Sequence, residues 1–464
     1  MKSSVKFLII VFFGIILLSS MNFLRQDETR IGEKTYFYER IVDSQMDYDE
    51  LSYSGRSFTY NLGPIYLLLF LSKLFSINFL LIILPIIFGI ILLILSYLIL
   101  KKLNINENEI NLTLIFLIIT PLFLYNFVSY NPLTIILPLV LLSFYLFISK
   151  NKISKILLPL LIFIMGFFDY KSIIFLLIAM IIYLIKLKQI KKIYPYLGIS
   201  FLSLIITYLP NLVKYGFTSS IFNENYFKLF LSDLGSLTGI SLFLIFFSIF
   251  GINYLWKTKN ENFYFLIFFM LTFVLTLLNR GFIPYFIILL PYIASLGVNN
   301  LTKSRWESES IRRLTLLLLI LGLIFSSYST LVNIKDSQPN QNMFNALNFL
   351  NQYEQGTVFS HYKYGIFINR FANKKSFVDS NFDFVEDLNQ RYQDTKFLFY
   401  TRNTDKVKEV LIKNNIKYIL ITDEMKEGLV WKNNEEGLLF VLENSREFKR
   451  IYSNGGIEIF SFQD

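Results

Sequence analysis

Apolar stretches long enough to cross a bilayer recur along most of this chain, separated by short polar or basic turns. They run at roughly 6–24, 79–100, 110–129, 132–149, 155–169, 172–186, 193–213, 236–256, 262–279, 281–298 and 313–333. This pattern predicts a polytopic α-helical membrane protein with about eleven transmembrane helices. The shorter segments need local bilayer thinning or flanking Lys and Tyr at the interface. The first segment follows Lys2 and Lys6 in the manner of a signal peptide, but it is longer than a usual signal core. No small-residue cleavage site follows it, so it reads as a retained helix. From about residue 335 the pattern becomes polar and mixed. TVFSHY (357–362), SFVDS (376–380), FLFYT (397–401) and KYILIT (417–422) read as strands, NTDKVKEVLIKNN (403–415) as a helix, and FKRIYSNGGIEIFSF (448–462) as a hairpin turning at Asn454-Gly455-Gly456. The expected layout is a transmembrane domain over 1–334 and an extracytoplasmic α/β domain over 335–464.

Charge gives the chain its direction. With the N-terminus cytoplasmic, Lys101 and Lys102, Lys152 and Lys155, Lys186 to Lys192, Lys257 and Lys259, and Lys303 to Arg313 all fall on inside loops. That holds only if LGPIYLLLFLSKLF (62–75) does not span, since counting it as a span inverts every later loop. We therefore read 62–75 as an interfacial or re-entrant helix, following a first outer loop at 25–62. The net charge of +10 is thus mostly cytoplasmic, and no nucleic-acid partner is expected.

Composition narrows the chemistry. The chain is 54% hydrophobic and 17% charged, with no cysteine and one histidine, His361. Disulfides, thiolate metal sites, a Cys nucleophile and multi-His metal centres are excluded, and no Gly-rich phosphate loop occurs. Carboxylates, Lys and Arg, hydroxyls and backbone remain. The carboxylates concentrate in the first outer loop, where eight of residues 27–50 are acidic. Asp27, Glu28 and Glu33 lie nearest the preceding helix, and such acids can act as a general base or bind a divalent cation. An outer loop is also left acidic simply because basic residues are held inside.

GEKTYFYERIVD with DYDELSYSGR resembles the first outer loop of type C (GT-C) glycosyltransferases. The similarity is to archaeal relatives of the oligosaccharyltransferase catalytic subunit in particular, and to the protein O-mannosyltransferases. Gly32, Glu33, Tyr36, Arg40, Asp49, Ser52, Gly55 and Arg56 carry it. The resemblance implies that Glu33 binds metal (Mg or Mn) or activates the acceptor, with Arg40 and Arg56 beside it. Arg280 in NRGFIPYF matches the family arginine that contacts the phosphate of a lipid-linked sugar donor. A guanidinium at a span's edge suits a phosphate ester and also suits simple snorkelling. Lys171 in FFDYKS either assists Arg280 or pairs locally with Asp169. His361, Tyr362, Lys363, Tyr364 and Gly365 stand where the family carries WWDYG, so only the Tyr-Gly end matches; His361 and Tyr364 are the candidate acceptor-side residues. The loop YNFVSYNPLT (125–134) has no second acid, which weighs against a metal.

These features favour a membrane glycosyltransferase that uses a polyprenyl-phosphate-linked sugar and a protein or glycan acceptor at the outer face of the cell membrane, with an inverting outcome. A non-catalytic scaffold of the same fold is the alternative. A lipid or glycan transporter fits less well, because no paired repeat occurs and the charges sit at span ends.

Overall fold

The computed structural model describes residues 3–25, 29–44, 48–57, 62–149, 151–216, 230–304, 306, 308–433 and 436–462. The chain forms two compact units. One comprises Met1–Arg25, Asn61–Pro210 and Glu224–Asp336; the other comprises Gln26–Tyr60, Asn211–Asn223 and Ser337–Asp464.

The first unit is helical, and every predicted span coincides with a helix or with a broken pair. Among the described residues, five helices can cross a membrane by length and apolarity: Ile77–Lys102, Pro132–Ser149, Ile190–Thr207, Lys259–Leu278 and Glu309–Lys335. Arg280–Ile287 and Leu290–Lys303, bent by 44° at their break, make a sixth if counted as one span. The expected 110–129 span is broken too, into Glu107–Ile118 and Pro121–Asn126. Pro121 lacks the N–H that would continue the first helix, and Thr120 caps the second by accepting the Phe123 N–H. Apolar side chains point outward as well as inward. On Ser3–Leu24, Leu18 and Met21 are buried while Leu8 and Phe12 are more than 60% exposed. Such helices have no stable place in water and suit lipid, so the protein is a membrane protein.

Two glycines set the tightest crossing in this unit. A Cβ on Gly251 would meet the Ile293 carbonyl, and one on Gly297 would meet the Phe247 carbonyl. Small residues thus let Leu242–Lys257 and Leu290–Lys303 approach backbone to backbone. Residues 62–72 form an eleven-residue helix, roughly 16 Å long at 1.5 Å per residue and so about half the hydrocarbon thickness. Its start is pinned by the Gly63 N–H to the Phe167 carbonyl (3.0 Å) and by the Tyr130 hydroxyl to the Pro64 carbonyl (2.8 Å).

The second unit is an α/β domain on a five-stranded sheet. Its strands are β3 (Thr357–Phe359), β4 (Lys375–Ser376), β5 (Ile416–Thr422), β6 (Phe448–Asn454) and β7 (Ile457–Phe462), in the order β4-β3-β5-β7-β6. β3 pairs in parallel with β4 and β5, while β7 runs antiparallel to β5 and β6. The β6–β7 turn takes positive φ at Gly455 and Gly456, as the sequence predicts. A two-stranded ladder, β1 (Tyr48–Asp49) with β2 (Arg56–Ser57), lies in the same unit.

Three expectations change. FLFYT is the last turn of a helix, Leu388–Tyr400. Its buried residues Leu388, Asp394, Thr395, Leu398 and Phe399 recur at helical spacing, so their aromatic character misled a period-two reading. SFVDS keeps strand pairing only at Ser376. The first outer loop, expected with the transmembrane domain, belongs to the α/β unit, and part of it is a helix, Glu33–Ser44.

Candidate active site

Glu33 is the first residue of the Glu33–Ser44 helix, where the free N–H groups and the helix dipole favour a carboxylate. The preceding Gly32 has φ 88°, a conformation that glycine adopts without a Cβ clash and that turns the chain into the helix. The helix buries Tyr36 and Phe37 on its inner face, and Tyr36 meets Phe367 and Phe371 edge-on at 5.9 and 5.0 Å.

Of the other described acids of this stretch, Glu39, Asp43 and Asp49 are engaged and Glu50 is exposed. Asp49 accepts both guanidinium arms of Arg40 at 2.6 Å, and the Leu51 and Ser52 N–H groups at 3.1 Å. Burial pushes Asp49 up, but the Arg40 fork, the Ser52 N–H and the nearby Arg56 together hold it below the usual carboxylate range. Glu39 pairs with Arg30 (2.8 Å) and Arg370 (3.2 Å), and Asp43 with Arg370 (3.4 Å). Arg40 thus faces a structural carboxylate. Arg56 donates to the Asn381 carbonyl at 2.7 Å and stacks on Tyr53 at 5.4 Å.

Glu33 is different. Among the described residues it makes no ion pair, and burial raises its carboxyl above the ordinary range. Lys34, the Ser380 hydroxyl and Lys363 oppose that rise, and the Asp379 carboxylate adds to it. Asp379 is fully buried; its carboxylate accepts from the Ser52 hydroxyl and, at 2.7 Å, from the Asn381 N–H. Lys34 donates to the Asn381 side chain. The VDSN run therefore forms a polar floor under Glu33.

That floor rests on the HYKYG turn. A Cβ on Gly365 would strike the Val378 carbonyl and the Asp379 side chain, so glycine is required for the close approach. His361 caps the Tyr362–Phe367 helix by accepting the Lys363 N–H on Nδ1 at 3.4 Å. Burial, with Lys363 adding to it, lowers its imidazole to about 3, so it is neutral at physiological pH. Tyr364 is buried, donates to Glu424 at 2.7 Å and accepts from Thr422 at 2.9 Å.

The helical unit carries a separate basic corner. Asp169 caps the Tyr170–Lys186 helix through the Lys171 N–H (3.2 Å), accepts the Tyr285 hydroxyl (3.0 Å), and lies 3.9 Å from the Lys171 ammonium. The Lys171 side chain runs against Gly281, so Lys171 and Arg280 share one corner. In 125–134, the Asn131 amide is tied to Ser129 and Thr134, and Asn126 donates to Leu122.

Asp27 and Glu28 lie outside the described residues. Among the described residues no three Asp, Glu or His side chains converge. These side chains do not by themselves fit a divalent-metal centre, and no step below runs through one.

No family model and no curated protein matches the sequence. Solved structures do match its fold. An Archaeoglobus fulgidus oligosaccharyltransferase tethered with an acceptor peptide containing the NVT sequon superposes with a TM-score of 0.65. Identity is 14%, and the match covers 99% of this chain and 74% of that one. The fold is that of the GT-C oligosaccharyltransferases. The same archaeal protein in complex with Zn and sulfate gives 0.64 at 14% identity, over 98% of this chain and 73% of that one. In complex with an inhibitory peptide and a dolichol-phosphate it gives 0.63 at 13%, over 98% and 74%. Ser380 and Asp379, which lie next to the Glu33 candidate, were not among the residues expected from the sequence. An Asp-Ser-Asn run just past a strand is the available signal, because Asp there bonds the N–H two residues on.

Proposed function

We propose that this protein is a membrane glycosyltransferase that moves a sugar from a polyprenyl-phosphate-linked donor to a protein or glycan acceptor outside the cytoplasm. The observation that carries the reading is Glu33, at the start of its helix, whose carboxyl burial raises above the ordinary range beside Ser380 and Asp379. A carboxylate so tuned is a suitable general base. In the proposed reaction the acceptor attacks the sugar's C1 as Glu33 takes the acceptor's proton. The C1–O bond to phosphate breaks, and the phosphate leaves with the electron pair and with inversion at C1. In the helical unit, Arg280 and Lys171 share one corner and are the candidate residues for binding a donor phosphate. His361, neutral and capping, and Tyr364, bound to Glu424, hold the HYKYG turn in place on the acceptor side. The proposed topology has eleven spans, an inside N-terminus and the α/β unit outside.

Purified protein in liposomes, given polyprenyl-phosphate and polyprenyl-diphosphate sugars with membrane acceptors, is expected to transfer sugar from one of them. No transfer from either donor would remove the reading.

A further inference from the structure

Beside the Glu33 floor, the α/β unit holds a second concavity of about 240 Å³ with a mainly polar wall. It is smaller than the ~300–1,000 Å³ of a drug-sized pocket, which suits a single polar ring. Tyr48, Tyr215 and Phe384 line it together with Arg56, Arg391, Asp387 and the Lys214–Glu386 pair (3.5 Å). Arg56 and Arg391 both stack on Tyr53, at 5.4 and 6.0 Å, which fixes their planes. Arg391 also donates to the Phe377 carbonyl at 3.2 Å, and Ser57 and Tyr215 share a 2.7 Å hydroxyl contact.

The backbone around this pocket is strained. Tyr53, Ser54, Phe384 and Asp387 all take positive φ, at 51°, 60°, 56° and 54°. Left-handed backbone is unfavourable at a non-Gly residue. Three of these residues line the concavity and Ser54 adjoins it; two of them are bulky aromatics, which marks a shape that the rest of the unit enforces. The pocket is joined to Glu33 through Asn381, whose carbonyl accepts from Arg56 and whose side chain accepts from Lys34.

We propose that this pocket is a saccharide subsite, with ring faces stacking on the sugar's C–H groups and the Arg and Glu side chains pairing with its hydroxyls. The assignment deepens the glycosyltransferase reading and rests on it only for the sugar's source, since donor and acceptor glycans present the same chemistry.

The test is saturation-transfer NMR on the full chain in nanodiscs, titrated with mannose, N-acetylglucosamine and glucuronate. Tyr48 is 50% exposed and the Glu386 side chain 71%, so Tyr48→Ala and Glu386→Gln leave the core intact, which an unchanged Tm verifies. At least one sugar is expected to bind, and each substitution to weaken it tenfold or more. No binding of any sugar, displacement by inorganic phosphate alone, or equal binding by both variants would overturn the subsite. In transfer assays, a variant that raises KM for the donor alone assigns the sugar to the donor, and one that raises KM for the acceptor alone assigns it to the acceptor. A chain that binds sugar and transfers none keeps the subsite and loses the enzyme.

Discussion

At the scale of single residues, the acidic first loop divides by partner. Glu39, Asp43 and Asp49 are held by guanidinium groups, and their chemistry is structural. The Asp49–Arg40 pair is buried and bidentate, so removing one partner strands a charge at a cost of roughly 3–5 kcal/mol. Asp49→Asn is therefore expected to lower Tm sharply in a thermal melt of detergent-solubilised protein. Because its folded pKa is depressed, the Asp49 contribution is present above the ordinary carboxylate range and fades as pH falls through the lowered value. Glu33 has the opposite sign. Its raised pKa favours the protonated form in the fold, a contribution present at low pH and lost as pH rises through that value. At neutral pH Glu33→Gln is thus expected to leave Tm unchanged or higher.

At the scale of elements, what was legible in the sequence follows from the strength of the periodic signal. Long apolar runs located the helices but not the breaks within 110–129, 193–213 and 281–298, and Asn-Gly-Gly marked the β6–β7 turn. FLFYT failed because four aromatic or aliphatic residues in a row carry no period of their own; their helical register shows only with Leu388 and Thr395 included. Gly32 and Tyr36 frame Glu33 as a candidate in the sequence, whereas the polar residues beside it carry no such local frame. Ser52 lies 327 positions from Asp379, and nothing local announces that the chain brings them together. Gly365 is the element-level hinge of that floor. Gly365→Ala forces a methyl into the Val378–Asp379 backbone, an overpacking worth about 1–3 kcal/mol. The variant is expected to melt earlier and to transfer sugar more slowly, and a melt and turnover indistinguishable from wild type would contradict the packing described.

At the scale of the whole molecule, the basic loops set a topology that can be measured directly. The chain has no cysteine, so single cysteines report alone. Cysteine placed at Lys102 or Lys191 is expected to react with a membrane-impermeant maleimide only after permeabilisation, and cysteine at Lys449 in intact cells. Labelling of Lys191→Cys from outside would invert the arrangement and place the α/β unit in the cytoplasm.

The central claim is that Glu33 is the base of a sugar transfer, and the pH profile of kcat/KM with a polyprenyl-linked donor tests it most directly. Wild type is expected to lose rate on an acid limb lying above the ordinary Glu value of about 4.3. Glu33→Gln is expected to fall by roughly 10²–10⁴-fold and to lose that limb, with its fold intact. Transfer by Glu33→Gln at the wild-type rate and with the wild-type profile would contradict the assignment.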